Sequence, residues 1–140
     1  MPKIPTNMSA IPSEVPDLDE SIPYHVVCRA AKWAVDDNGQ IKTDVNGHYF
    51  ISGMELEVLE PEQFRGRRIF ENYLPVSNGK AEDATDSNIV RTKRAMLVFK
   101  VQEDPDGLDA VEFVGKEGDV TAVNEMYQGR KNPKVAEFLL

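Results

Sequence analysis

Apolar residues are unevenly distributed along the 140-residue chain, and the first change of texture comes at Tyr24. Before it, residues 1–23 hold five of the nine prolines (Pro2, Pro5, Pro12, Pro16 and Pro23), few large apolar residues, and neither a helical nor an alternating period. Such a segment cannot offset its own ordering entropy, so it predicts an extended arm outside the core, ordered only against a surface or a partner. From Tyr24 to Val35 strand formers dominate, and Asp36-Asp37-Asn38-Gly39 follows as a turn signal, which predicts one strand. After Asn46-Gly47, residues His48 to Leu59 alternate. Phe50, Met54, Leu56 and Val58 fall on one face and Tyr49, Ile51, Glu55 and Glu57 on the other, the mark of a half-buried second strand. Pro61 stops it, Gly66 permits a turn, and Arg67 to Leu74 resumes as a third strand before Pro75.

The second half is less regular. Val76 to Asp86 is polar and small, and Asp86-Ser87 can cap a helix from about Ile89 to Lys100, although Met96-Leu97-Val98-Phe99 and Val101 suit a strand equally well. Asp104-Pro105-Asp106-Gly107 forms a turn, and further strands follow at Asp119–Glu125 and Pro133–Leu139. Five strands with one short helix between the third and fourth is the element order of an OB-type Greek-key barrel, a mainly β fold. The predicted organisation is thus a proline-rich acidic arm, residues 1–23, and one domain, residues 24–140.

Charge and chemistry narrow the function. Sixteen Lys+Arg against 24 Asp+Glu give a formal net charge of −8, so any polyanion site must be a local basic patch. The arm contributes Glu14, Asp17, Asp19 and Glu20 against Lys3. The single cysteine, Cys28, cannot form an internal disulfide, and with only His25 and His48 it falls short of a zinc ligand set. No phosphate loop, dinucleotide fingerprint, paired-histidine motif or nucleophile elbow is present, and a binding protein without metal or cofactor is expected rather than an enzyme. With no long apolar run and no secretory signal pattern, the expectation is a soluble cytoplasmic protein with no membrane partner.

An internal echo supplies the candidate site. Glu62-Gln63-Phe64-Arg65-Gly66-Arg67-Arg68 and Glu125-Met126-Tyr127-Gln128-Gly129-Arg130-Lys131 share the order acid, aromatic, Gly-Arg, basic. Each aromatic can fold back on the end of the domain while the glycine turns and the basic pair projects. Arg65, Arg67 and Arg68, with Arg130, Lys131 and Lys134, would then form two arms of a phosphate-gripping rim; solvated turn tips are the plain alternative. Arg91, Lys93 and Arg94 on the helix form a lesser cluster. In the first strand, alternation sets His25, Arg29 and Trp33 against Tyr24, Val26, Cys28 and Ala30. If the latter set is core, Arg29 and Trp33 form a floor between the arms, with the indole stacking on a base; if not, Trp33 is a core anchor. Tyr73 carries the same two readings.

Met54-Glu55-Leu56-Glu57-Val58-Leu59-Glu60, Phe64-Arg65-Gly66-Arg67-Arg68-Ile69-Phe70, Val114-Gly115-Lys116-Glu117-Gly118-Asp119-Val120 and Tyr127-Gln128-Gly129-Arg130-Lys131 together resemble a family of phage-encoded OB-fold single-stranded DNA-binding proteins. The resemblance covers about residues 22–140. It implies coating of single strands during replication or recombination in the host cytoplasm, with phage recombination or replication proteins as partners and a homo-oligomer as one compatible state. Proteins that coat single strands often end in an acidic tail, whereas this chain ends Glu137-Phe138-Leu139-Leu140 and carries its acidic stretch at the other end. The rival expectation is a structural or interaction protein, such as a virion component, that clamps a neighbour with the arm.

Overall fold

The computed structural model describes residues 2–13 and 15–140; Met1 and Glu14 of the predicted arm lie outside the described residues. Among the described residues six strands form one sheet: β1 (Tyr24–Trp33), β2 (Phe50–Glu60), β3 (Arg68–Glu71), β4 (Leu74–Pro75), β5 (Glu117–Tyr127) and β6 (Arg130–Leu139). β1 runs antiparallel to both β2 and β5, β2 pairs with β3 and β4, and β5 with β6. A single parallel step, Phe70 opposite Lys134, joins β3 to β6 and brings the sheet partly round into a ring. Among the described residues the fold is mainly β with one α-helix, α1 (Ser87–Phe99), between β4 and β5. The third strand expected over Arg67–Leu74 is divided, because pairing with β2 lapses at Asn72 and Tyr73 and resumes at Leu74.

Alternation predicts the buried face of β1 and β2 only until each strand gains an extra residue. Tyr24, Val26 and Cys28 point inward as expected, but the register shifts between Cys28 and Ala30, and the next buried residue is Ala31. A bulge inserts one residue and moves everything beyond it to the other face. Trp33 follows Ala31 onto the inner face, opposite fully buried Ile51, and packs against the core. In β2 the same thing happens at Gly53, whose φ of +64° suits a residue without a side chain. Ile51 is therefore buried and Phe50 turned out, the reverse of the alternation expected for them.

Helix α1 begins where its sequence dictates: the Asp86 side chain accepts from the Asn88 and Ile89 N–H groups. It ends at Lys100 in the left-handed conformation. Ile89, Thr92, Ala95, Met96 and Phe99 recur at helical spacing on the buried face, and this tertiary contact decides against the strand alternative for Met96–Phe99. Phe99 meets Phe113 and Phe138 edge-on. Gly118 in β5 makes room for Val98 and Phe99, since a Cβ there would lie 2.5 Å from Val98 Cγ1 and 3.3 Å from Phe99 Cε1.

The expected arm is only partly an arm. Residues 2–13 are exposed, but Leu18 is buried to 2% exposure within the core cluster, and Ile22 packs against it. The Leu18 carbonyl accepts from Asn124 Nδ2 at 2.8 Å, the Glu20 carboxylate from Asn124 N–H at 2.7 Å, and the Asp19 carbonyl from the Tyr24 hydroxyl at 2.8 Å. The boundary at residue 23 is thus corrected: the stretch from Pro16 onward belongs to the folded unit, because one leucine among the prolines finds a socket. No helix among the described residues is long and apolar enough to cross a membrane.

Candidate nucleic-acid interface

Strand pairing builds the outer face directly. Residues opposite one another share a face, so Ala30, Glu55, Phe70, Lys134 and Val123 form one cross-strand row over β1, β2, β3, β6 and β5. Neighbouring Ile69 is fully buried, and Phe70 therefore stands on the outer side, half-buried. Beside it the β5–β6 hairpin projects past the end of β3. Phe70, Asn72, Glu125, Tyr127, Asn132, Pro133 and Lys134 line an open cleft of about 550 Å³ between them. Tyr127 is 65% exposed at the hairpin tip.

The basic residues singled out from the sequence divide into four situations. Arg29 and Arg68 stand on the outer face, both reaching the Glu57 carboxylate at 3.4 Å. Lys134 stands beside Phe70, with Glu125 at 3.5 Å. Arg67 and Lys131 are engaged by the N-terminal segment: the Arg67 guanidinium donates to the Pro16 carbonyl at 2.7 Å, and Lys131 Nζ meets Asp17 Oδ2 at 2.9 Å. Asp17 holds that ammonium above the ordinary lysine range. Consecutive residues thus reach one cation from each Gly-Arg turn, and Lys131, opposite Met126, lies across the sheet from Tyr127, Asn132 and Lys134. Arg130 is exposed at the hairpin tip with no ion-pair partner among the described residues, and Arg65 is exposed beside Glu60, Glu62, His25 and Glu117.

Other residues fall elsewhere than the sequence suggests. Trp33 does not share a face with Arg29; it lines a separate cavity of about 530 Å³ with Tyr49, Pro75, Met96 and Leu108. Tyr73 is half-buried, its ring edge-on to Phe50 at 5.2 Å and its hydroxyl donating to Asp44 at 2.6 Å, a bond that pushes its pKa up to about 12. The lesser helix cluster is largely structural: Arg91 meets Glu71 at 2.6 Å, donates to the Val135 carbonyl and lies over the Phe138 ring, and Arg94 donates to the Phe138 carbonyl. Of the echoing aromatics, Phe64 does fold back, onto Tyr24 at 5.6 Å, whereas Tyr127 does not. Spacing does not single out Phe70, Asn72 or Asn132, and it assigns Tyr127 to the end of the domain. The signal for Phe70 lies in Ile69: a core residue there sends its neighbour outward.

Two polar clusters outside this face could be mistaken for catalytic sets. Buried His48 bonds Asp83 at 2.9 Å, and the Ser77 hydroxyl donates to the same Asp83 at 2.8 Å. The serine thus donates to the acid and not to the imidazole, which is not the order of a Ser-His-Asp triad. Ser77 first, then His48 and the Asn78 N–H, hold the Asp83 carboxyl below its ordinary range against the effect of burial. The network pins the β1–β2 connection to the segment before α1. Cys28 is buried, and burial pushes its thiol up to about 11, so it remains a protonated apolar filler. No group of metal-binding side chains occurs among the described residues.

His25 forms the second cluster, its two ring nitrogens 2.8 Å from Asp119 and 2.7 Å from Glu117. Hydrogen bonds to Asp119, then Glu117, raise its pKa above the usual 6.5. A raised folded-state pKa means stability fully present below the unfolded value and lost as pH climbs through the folded one. The melting temperature should therefore fall as pH rises from 6.5 past that folded value, and His25→Gln should flatten this slope. An unchanged pH profile in the variant would show that the pair of carboxylates does not act through the imidazole.

Comparison of the chain with protein-family models, with curated proteins and with solved structures finds no match in any of the three.

Proposed function

We propose that the chain binds single-stranded DNA without reading its sequence, in the manner of phage proteins that protect single strands during replication or recombination, and that its partly closed ring is an OB-type barrel. The ring order β1–β2–β3–β6–β5, with β1 paired on both sides and the helix between the third and fourth long strands, supports the barrel reading. In such barrels oligonucleotides lie on the face of the second and third strands, between the loop joining the first two strands and the loop joining the last two. Here that face is β2 and β3, and the last loop is the turn between Tyr127 and Arg130.

The observation that carries the proposal is Phe70, an outward aromatic on β3 beside Lys134, facing a cleft whose far wall is Tyr127. Binding single strands without sequence preference needs π-faces for the bases and cations for the backbone. Phe70 and Tyr127 supply the first; Lys134, Arg130, Arg68 and Arg29 supply the second. Glu55, Glu57 and Glu125 sit among them and temper the field, in keeping with moderate rather than tight binding.

A second reading, an interaction protein that clamps a neighbour, has one observation in its favour: Ile4, Met8, Ile11 and Val15 are all exposed on the N-terminal segment. Titration of labelled oligo-dT and of duplex of equal length, each at two salt concentrations, separates the two. The single-strand reading expects preference for oligo-dT and an affinity that falls with salt as counterions are released, each phosphate contact contributing about 0.7 to the logarithmic slope. Equal affinity for both forms, or none, transfers the assignment to the interaction protein.

A further inference from the structure

We propose that the cavity lined by Trp33 and Tyr49 is a second ligand site, one that takes a free nucleoside monophosphate, with the base against its aromatic wall and the phosphate on Lys93. The site goes beyond the single-strand reading and shares no lining residue with the cleft beside Phe70. Two features singled out in the sequence have no part in that cleft: Trp33, and Lys93 of the helix cluster. In this cavity they come together. Arg91 and Arg94 are committed to Glu71 and to the carbonyls of β6. Lys93, on the same helix, is exposed and has no ion-pair partner among the described residues. α1 itself holds no acid, in a chain with 24, so the field beside Lys93 favours an anion.

Chain folding builds the space in two compartments. Trp33 ends β1, Tyr49 precedes β2 and Pro75 ends β4, and Met96 of α1 and Leu108 beyond it close the first compartment, of about 530 Å³. A mainly apolar and aromatic lining with few polar groups, at this volume, is the usual make-up of a small-ligand site. Ser77, Gly79, Ile89 and Lys93 form the sill to a second compartment of about 430 Å³, where Lys80 stands as a further cation. A ligand with a flat ring and a separate anionic group matches this division. Most of the remaining polar groups are already committed. The Thr92 hydroxyl donates to the Asn88 carbonyl, and the Ser77 hydroxyl donates to Asp83 while accepting from the Gly79 N–H. Asp83, on the wall of the second compartment, is occupied by His48, Ser77 and the Asn78 N–H. Glu103 is the one acid that lines the first compartment, exposed and without an ion-pair partner among the described residues. A carboxylate only accepts, so it selects a ring that presents N–H groups. Guanine presents a ring N–H and an amino group side by side, whereas thymine presents one N–H between two carbonyls.

Trp33 is the single tryptophan, so its emission reports on this cavity directly. With the full chain, titration with dGMP should change that emission saturably, with half-saturation below about 1 mM, the ordinary range for small metabolites. Deoxyguanosine, which lacks the phosphate, should bind roughly tenfold more weakly, and Lys93→Ala should weaken dGMP by a similar factor, the size of one charge-assisted hydrogen bond. Glu103→Gln should narrow the preference for dGMP over dTMP. Lys116→Ala, an equal charge change at an exposed position just before β5, should leave dGMP binding as in wild type. Lys93 and Glu103 are exposed, so their variants should melt as wild type. Saturating dGMP should leave the affinity for labelled oligo-dT unchanged. If none of the four deoxynucleoside monophosphates saturates the emission change below about 1 mM, the site is overturned. Equal affinity of deoxyguanosine and dGMP, or of Lys93→Ala and wild type, overturns the nucleotide assignment. An equal loss from Lys116→Ala overturns it too, since net charge alone would then suffice. Competition between dGMP and oligo-dT overturns the separate site. The single-strand reading is judged by the oligo-dT titration alone, so either can fail while the other stands.

Discussion

Arg91→Met should lower the unfolding free energy by about 3 kcal/mol, the lower end of the range for leaving one buried charge without its partner. Glu71 is 1% exposed and lies opposite Met54, on the inner side of β3. Its carboxylate takes the Tyr73 N–H at 3.0 Å and meets the Arg91 guanidinium at 2.6 Å. Without that guanidinium the charge has no cation to compensate its desolvation, and the Val135 carbonyl loses its donor too. A domain of this size has only about 5–15 kcal/mol in total, so the loss should be plain in chemical denaturation. Adding Glu71→Leu to Arg91→Met should recover most of it, because a buried ion pair is itself close to break-even against apolar packing. Recovery should stop about 1 kcal/mol short, for the lost hydrogen bond to Tyr73. An Arg91→Met midpoint within error of wild type would mean that Glu71 is compensated elsewhere, and Arg91 would return to the list of candidate phosphate contacts.

The example of Arg91 shows where sequence reasoning reaches and where it stops. Local pattern locates the elements well, because each is announced by nearby chemistry: Asp86 caps α1, Gly66 and Gly129 turn with positive φ, and Pro61 follows the end of β2. Which way a side chain points is less legible. A bulge adds one residue without a sequence signature as strong as a turn, and past it every face is exchanged. Trp33 and Arg29 are separated for that reason, and Phe50 and Ile51 trade places across Gly53. Partnership over long separations is not local at all. Nothing near Arg91 announces Glu71, and nothing near Lys131 announces Asp17, 114 residues away. Basic clusters are therefore easy to find in this chain, while the number of cations available for phosphates depends on acids placed by the fold. Leu18 makes the same point for the core: one apolar residue in a proline-rich stretch has no period to betray it, yet it joins the core cluster and its carbonyl holds Asn124.

Phe70→Ala should weaken binding of oligo-dT by roughly 5- to 150-fold, the range of about 1–3 kcal/mol that a base–aromatic stack supplies. Phe70 stands between Glu55 and Lys134 in the cross-strand row, on the face where the cleft opens toward Tyr127. A base laid on the ring leaves its phosphates near Lys134 and the hairpin tip, so stacking and charge can be separated by their salt dependence. Phe70→Ala should leave the logarithmic salt slope close to wild type, since no cation is lost, and Phe70→Trp should retain most of the affinity. Arg130→Ala should do the opposite, with a smaller loss of affinity and a slope reduced by about 0.7. Trp33→Ala should change affinity little, because the indole faces the other cavity. Since Phe70 is half-buried, a melting curve must accompany each measurement to separate loss of stacking from loss of fold. If Phe70→Ala melts as wild type and binds as wild type while Arg130→Ala weakens binding, the strand runs along the hairpin and not across β3. If Trp33→Ala alone abolishes binding, the cavity of Trp33, Tyr49 and Met96 is the base-binding site, and the outer face of β2 and β3 is not.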